Sequence, residues 1–177
     1  MNFKLAYIFI FLISIGLFSF QIPNNVKKKV TKEIKTAFEV ATFSLETVTI
    51  SDKDNQALPL KITGKNLYKV IVQHNTIGYA FIDKAPSKTD QFDYLVLFDK
   101  NLIIKKAKIL IYREDYGGEI GSKRWLKQFI GKKESDTLRY KKDIIAISGA
   151  TISATSMTKA VNTLLKTIAI LHQNHTI

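Results

Sequence analysis

Along the first 41 residues the apolar positions follow two patterns. Leu5 to Phe20 (LAYIFIFLISIGLFSF) is apolar on every face and uncharged, with Lys4 before it and Gln21, Ile22, Pro23 and the Lys27-Lys28-Lys29 cluster after it. A soluble core helix would show an amphipathic stripe, and this run has none. Its 16 residues fall between the roughly 7 to 15 of a signal-peptide core and the about 20 of a spanning helix. No clear A-x-A cleavage site follows. Residues 1–22 therefore read as a signal peptide or a retained membrane anchor, and residues 23–177 as one domain. Val26, Val30, Ile34 and Phe38 then recur every four positions with Lys27, Lys28, Lys32 and Lys35 between them, which predicts an amphipathic helix just outside the apolar segment. Its lysines suit either lipid headgroups or plain solvent.

Beyond Ala41 the period changes to two. Strands rich in Val, Ile, Tyr and Phe are predicted over Leu45–Ile50, Leu67–Gln73, Ile77–Ile82, Phe92–Phe98 and Leu102–Tyr112. His74-Asn75-Thr76 and Asp99-Lys100-Asn101 fall where hairpin turns belong, so the pairing is expected to be largely antiparallel. Asp83–Asp90 (DKAPSKTD) reads as a loop, Tyr112–Gly121 (YREDYGGEIG) as a glycine-bearing stretch and Ser122–Ile130 as a short helix. A basic link leads to a final helix from about Ser153 to His172, whose stripe of Met157, Val161, Leu164, Ile168 and Leu171 marks a core-facing element. The fold class is α+β: a mainly antiparallel sheet with an N-terminal amphipathic helix and a C-terminal helix.

Composition narrows the chemistry. With no cysteine, the chain has no disulfide scaffold, zinc ribbon, thiolate-ligated cluster or cysteine nucleophile. Two of its three histidines lie in the C-terminal tail, which speaks against a metal or haem site. The 27 Lys plus Arg against 15 Asp plus Glu give a net charge of +12, a balance that suits nucleic acid, an anionic membrane surface or an anionic ligand. The charge is uneven: Lys100 to Lys142 holds 13 basic and 5 acidic residues. Removing residues 1–22 takes away only Lys4 and leaves +11. No aromatic–basic stacking platform or nucleic-acid motif accompanies it, so nucleic acid or an anionic glycan is the weaker reading.

Small and hydroxyl residues crowd the start of the final helix: Ser148-Gly149-Ala150-Thr151-Ile152-Ser153-Ala154-Thr155-Ser156. Helix N-termini present unpaired N–H groups and the positive end of the dipole, so this stretch suits a phosphate. Ordinary N-capping by Ser or Thr is the other reading, and it needs no ligand.

Ser148-Gly149-Ala150-Thr151 resembles the flavinylation motif of the FMN-binding domain family, which includes the C subunit of the sodium-pumping NADH:quinone oxidoreductase and the G subunit of the Rnf complex. Three further features resemble that family in its order: Ile77-Gly78-Tyr79 at a strand start, Glu114-Asp115-Tyr116-Gly117-Gly118 as a glutamate-plus-glycine loop, and Trp125 to Gly131 as a short helix ending in Gln-Phe-x-Gly. The similarity covers roughly residues 65 to 171. It implies an N-terminal membrane segment, an extracytoplasmic location and FMN joined to Thr151 through a phosphoester, installed by an FAD:protein FMN transferase. It also implies electron transfer with a membrane or periplasmic redox partner rather than stand-alone catalysis. The topology so implied overrides the lysine count around residues 5–20, which taken alone would keep the carboxyl side in the cytoplasm.

Two departures from the family pattern stand out. Ile145 occupies the place, three residues before the motif serine, where members usually carry aspartate; Asp143 is the nearest acid. Asp115 and Tyr116 replace Thr and Pro of the usual Glu-Thr-Pro-Gly loop. A transferase that reads the missing carboxylate directly would modify this chain slowly or not at all, which keeps non-covalent FMN binding, or a cofactor-free module of the same fold, as the alternative.

Within the implied site, Thr151 has to be exposed, with Gly149 and Ala150 keeping its approach free of bulk. A threonine hydroxyl is a poor nucleophile, so the activating metal and base must come from another protein. Ser148, Ser153 and helix N–H groups are placed to donate to the phosphate. Tyr116, Trp125 and Tyr112 are the candidates for an aromatic wall, although Trp125 reads equally well as a core anchor. Glu114 belongs to the implied cofactor-binding loop, while Gly117 and Gly118 either let the backbone approach the ring or simply turn the chain.

Overall fold

The computed structural model describes residues 24–177. The apolar segment read as a signal or anchor lies outside the described residues. Within them, no helix is long and apolar enough to cross a membrane.

Helix α1 (Asn24–Phe38) forms where the four-residue spacing predicts it and buries Val26, Val30 and Ile34. Five strands follow: β1 (Ser44–Thr47), β2 (Leu67–Val72), β3 (Asn75–Pro86), β4 (Gln91–Asp99) and β5 (Ile104–Ile111). They pair antiparallel in chain order, β1-β2-β3-β4-β5. Helix α2 (Asp52–Ala57) lies between β1 and β2. After β5 come a 3-10 turn over Gly118–Gly121, helix α3 (Lys123–Leu126), a second 3-10 turn over Lys127–Phe129, and finally α4 (Thr151–Gln173).

The sheet is covered on both faces. One face buries Leu67, Phe81, Phe92, Tyr94, Val96 and Phe98 together with Met157, Val161, Leu164 and Ile168 of α4. The other buries Tyr68, Val70, Ala80, Ile82, Leu95 and Leu97 under the α1 stripe. This explains the sequence of β4, where Phe92 to Phe98 is buried without a break. With apolar layers on both sides, alternation gives way to a continuous run, and only Asp93 interrupts it, paired with Arg113 at the strand's edge.

Several boundaries move for identifiable reasons. The strand predicted to end at Ile82 continues to Pro86, which pairs with Gln91, and the loop shrinks to Ser87–Asp90. Ala85 is buried, and Pro86 sits at the strand end, where its missing N–H matters least. The β2–β3 turn falls on Gln73 and His74, both at positive φ (49° and 66°), so Val72 pairs with Asn75 and the turn is the primed, two-residue kind that matches sheet twist. Residue 102 also has positive φ (60°), which delays β5 to Ile104. Helix α2 has no counterpart in the sequence reading. Ser51 caps it by accepting from the Asp54 N–H at 3.1 Å and donating to the Asp54 carboxylate at 2.6 Å.

Gly78 explains one of the recognised motifs in packing terms. A Cβ there would lie 2.2 Å from the Phe98 carbonyl oxygen and 2.7 Å from the Phe38 ring. Only glycine lets the end of α1 close onto β3.

Candidate functional site

Helix α4 starts without a side-chain cap. Its cap residue is Ala150, at φ −128° and ψ 29°, and the first intrahelical bond runs from the Ala154 N–H to the Ala150 carbonyl at 2.8 Å. The hydroxyls that suggested ordinary capping are used otherwise. Thr155 donates to the Thr151 carbonyl at 2.7 Å, and the buried Ser153 hydroxyl lies 3.0 Å from the Tyr112 hydroxyl. The first N–H groups of α4 are thus left for an acceptor from outside the fold, at the positive end of a helix 23 residues long.

Those groups open into a cleft of about 450 Å3 lined by Lys88, Tyr112, Glu114, Tyr116, Gly149, Ala150, Thr151, Ile152 and Ser153. Thr151 is exposed on its wall. Gly149 has φ +77° with open space where a Cβ would stand, so its conformation, not crowding, is what favours glycine. Gly117 (φ +82°) is restricted in both ways. A Cβ there would meet the Gly149 carbonyl at 2.9 Å, the Tyr112 hydroxyl at 3.0 Å and the Ala150 Cβ at 3.2 Å. The glycine loop and the motif are therefore packed back to back. Tyr116 is 86% exposed and Ile152 52% exposed, so a flat aromatic face and an aliphatic edge border the cleft uncovered.

Glu114 organises the opposite rim. Its carboxylate accepts from the Ser87 hydroxyl (2.6 Å), the Thr89 N–H (2.7 Å) and hydroxyl (2.7 Å), and the Asp90 N–H (3.1 Å). These bonds, the one from the Ser87 hydroxyl first, hold the carboxyl at a pKa of about 2. Glu114 thereby fixes the short loop that carries Lys88 to the cleft. Lys88 was not singled out from sequence. The signal was present, a lysine in the Asp83–Asp90 loop, but nothing local pointed that loop at residue 151.

Of the residues expected at the site, the cleft gathers Thr151, Gly149, Ala150, Ser153, Glu114, Tyr116 and Tyr112. Gly117 buttresses it from behind. Ser148 is exposed but does not line it, and Gly118 faces open space. Trp125 is elsewhere: 4% exposed, in the core, edge-on to Phe129 at 5.3 Å. Its indole N–H donates to the Ile145 carbonyl at 2.9 Å, and the Gln128 side-chain oxygen accepts from the Ile145 N–H at 2.7 Å. The short helix thus grips the backbone three residues before Ser148 and sets the approach to the motif. Ile145 itself is 73% exposed. Asp143 is bound to Arg139 at 2.7 and 3.1 Å, and that hydrogen-bonded contact holds its carboxyl below the usual range.

The residues present suit a ligand with a phosphate and a flat aromatic ring. Uncapped N–H groups and Lys88 answer the charge, Tyr116 offers a stacking face, and Thr151 presents a hydroxyl between them. Among known families, the one described as FMN-binding domain matches residues 87–166, a span that runs from the Glu114-held loop through most of α4. Its cofactor is FMN. No curated protein matches the chain.

Proposed function

Because residues 87–166 match the FMN-binding domain family, we propose that this chain is an extracytoplasmic flavoprotein that carries FMN in a phosphoester bond on Thr151 and moves electrons between a membrane donor and an extracytoplasmic acceptor. The observation that carries the reading is the placement of an exposed threonine hydroxyl at an uncapped helix start, inside a cleft that offers a cation and an uncovered aromatic ring. Bound there, FMN supplies reversible one- and two-electron chemistry. The chain supplies the tether and the surroundings. Thr151 provides the oxygen that displaces AMP from FAD, with the proton passing to a base on the FAD:protein FMN transferase. The first-turn N–H groups and Lys88 balance the phosphate charge. Tyr116 shields one face of the ring. Ser153 is committed to Tyr112 and positions that side chain rather than donating outward.

Attachment has a physical reason outside the cytoplasm, where a dissociated flavin is diluted and lost. A tether keeps the effective concentration of order mM without further contacts. The apolar run at residues 5–20 supports export, as anchor or as cleaved signal.

Ile145 favours a second reading, FMN held without a covalent bond. It presents an aliphatic chain to solvent where the family usually has aspartate, and the carboxylate nearest in sequence, Asp143, is taken by Arg139. Denaturing electrophoresis after co-expression with the transferase separates the two. The covalent reading expects a fluorescent band, a matching mass increase and complete loss of both in Thr151→Ala. Flavin that co-purifies but leaves the denatured chain establishes the second reading, and a native protein free of flavin overturns both.

A further inference from the structure

A second cleft, apart from the flavin site, lies between α1, β5 and α3. It has a volume of about 510 Å3, and Lys32, Lys106, Lys108, Lys123 and Lys127 line it. Only one acid shares it: Glu33, bound to Lys106 at 2.5 Å. Lys32, Lys108, Lys123 and Lys127 have no ion pair among the described residues. Its floor is apolar, with Ala107, Leu126 and Ile130, the last 48% exposed.

Four uncompensated ammonium groups around one concavity repel one another and focus a positive potential into it. A polar solvated surface would space such charges apart and would not set them over an apolar floor. The chemistry that answers both is an anion with an aliphatic part. Position narrows the source. The wall formed by Lys32, Glu33 and Thr36 belongs to α1, whose first residue, Asn24, follows the apolar run by three residues. At 1.5 Å per helical residue, Lys32 stands about 12 Å along α1 from Asn24.

We propose that this cleft docks anionic phospholipid headgroups, so that the β5 edge of the domain rests on the bilayer and the orientation of the flavin cleft relative to the membrane is fixed. The proposal rests on reading residues 5–20 as a retained anchor. Lys32 and Lys108 hold the headgroup phosphate from two sides, Lys123 and Lys127 close the rim, and Ile130 meets the first acyl carbons.

The chain has no cysteine, so one introduced thiol labels uniquely. Gly121 lines the cleft and has open space where a Cβ would stand, which makes Gly121→Cys a site for an environment-sensitive dye. The full chain is reconstituted into phosphatidylcholine vesicles with or without phosphatidylglycerol, each carrying a lipid-borne quencher. The expected result is quenching that requires phosphatidylglycerol, disappears at high salt and falls about fivefold in lipid dependence for each lysine removed. Lys108→Glu combined with Lys123→Glu and Lys127→Glu should abolish it, and the matching Gln variants guard against misfolding, with the flavin spectrum reporting an intact domain. Chain that floats with both vesicles but quenches equally overturns the cleft proposal and leaves the anchor reading standing. Chain that floats with neither overturns both. Flotation with phosphatidylglycerol vesicles alone, lost in the charge-reversed variant, overturns the anchor reading and, with it, the tethered docking proposed. Quenching abolished by millimolar inorganic phosphate at constant ionic strength reassigns the cleft to a soluble phosphate and overturns the lipid assignment.

Discussion

The two long helices cover opposite faces of one sheet and are held there very differently. Helix α4 buries ten residues over 23, from Ser153 to Leu171, and none of its first turn is acidic or capped. Helix α1 buries three, Val26, Val30 and Ile34. Polar contacts add to this stripe, from the Lys29 ammonium to the Leu110 carbonyl at 2.6 Å and between Glu33 and Lys106 of β5 at 2.5 Å. The remainder of its surface is lysine-rich. A site built at the start of α4 inherits the rigidity of the main core, which suits a hydroxyl that must be held in one place. A helix attached by a narrow stripe leaves its flanks free for contacts outside the fold. The same sheet thus carries a positioned site on one face and a charged, outward-looking layer on the other.

The strongest way to break this contrast is to cut equally into both layers. Met157 and Ile34 are each fully buried, and alanine at either position should lower stability by about 2–5 kcal/mol in urea unfolding. The consequences at the cleft should differ. Met157 lies on α4 six residues after Thr151, so Met157→Ala should shift the visible spectrum of the flavin and reduce its occupancy while the protein is still folded. Ile34→Ala should leave both unchanged. Identical flavin spectra in the two variants would show that the α4 core does not set the site.

What the sequence disclosed follows the same division. Both helices were legible because their apolar stripes are regular, and all five strands because β-branched and aromatic residues mark them. The glycine–threonine motif was legible because its chemistry is local. What escaped was long-range. Lys88 reaches the cleft only because Glu114, 26 residues later, accepts from Ser87, Thr89 and Asp90, and no period or spacing encodes such a contact. Trp125 looked as much like a stacking wall as a core residue, since an aromatic near a glycine loop has the same local signature in both roles. Its bond to the Ile145 carbonyl decides where it sits. Helix α2 was hidden by its length of six residues, too short to show periodicity.

Glu114 sharpens the contrast through pH. Its pKa of about 2 lies below the ordinary value of 4.5 because the charged form accepts the loop's hydrogen bonds. A depressed folded-state pKa contributes stability that is fully present above the unfolded value and is lost as pH falls through the folded one. The loop should therefore stay closed at pH 5 and open progressively toward pH 2. Amide exchange of Thr89 and Asp90, whose N–H groups bind the carboxylate, should lose protection over that window relative to intrinsic rates, with the α1 amides changing later. In Glu114→Gln the protection should already be weak at neutral pH. Unchanged Thr89 protection in that variant would mean that Glu114 does not hold the loop.

The smallest expected effect on stability tests the most specific feature of the site. Ile145 is exposed, and only its backbone is gripped by Trp125 and Gln128. Ile145→Asp should therefore change stability by no more than about 0.5 kcal/mol. Asp143 is already neutralised by Arg139, so the new carboxylate would be the unpaired acid nearest the motif in sequence. If the transferase reads that charge, the rate at which FMN is joined to Thr151 should rise markedly in Ile145→Asp and fall back in Ile145→Asn, with the same unfolding midpoint in all three proteins. Equal rates would show that the hydroxyl is delivered by backbone geometry alone: an uncapped helix start, held in place by the α4 core and gripped three residues upstream of the motif.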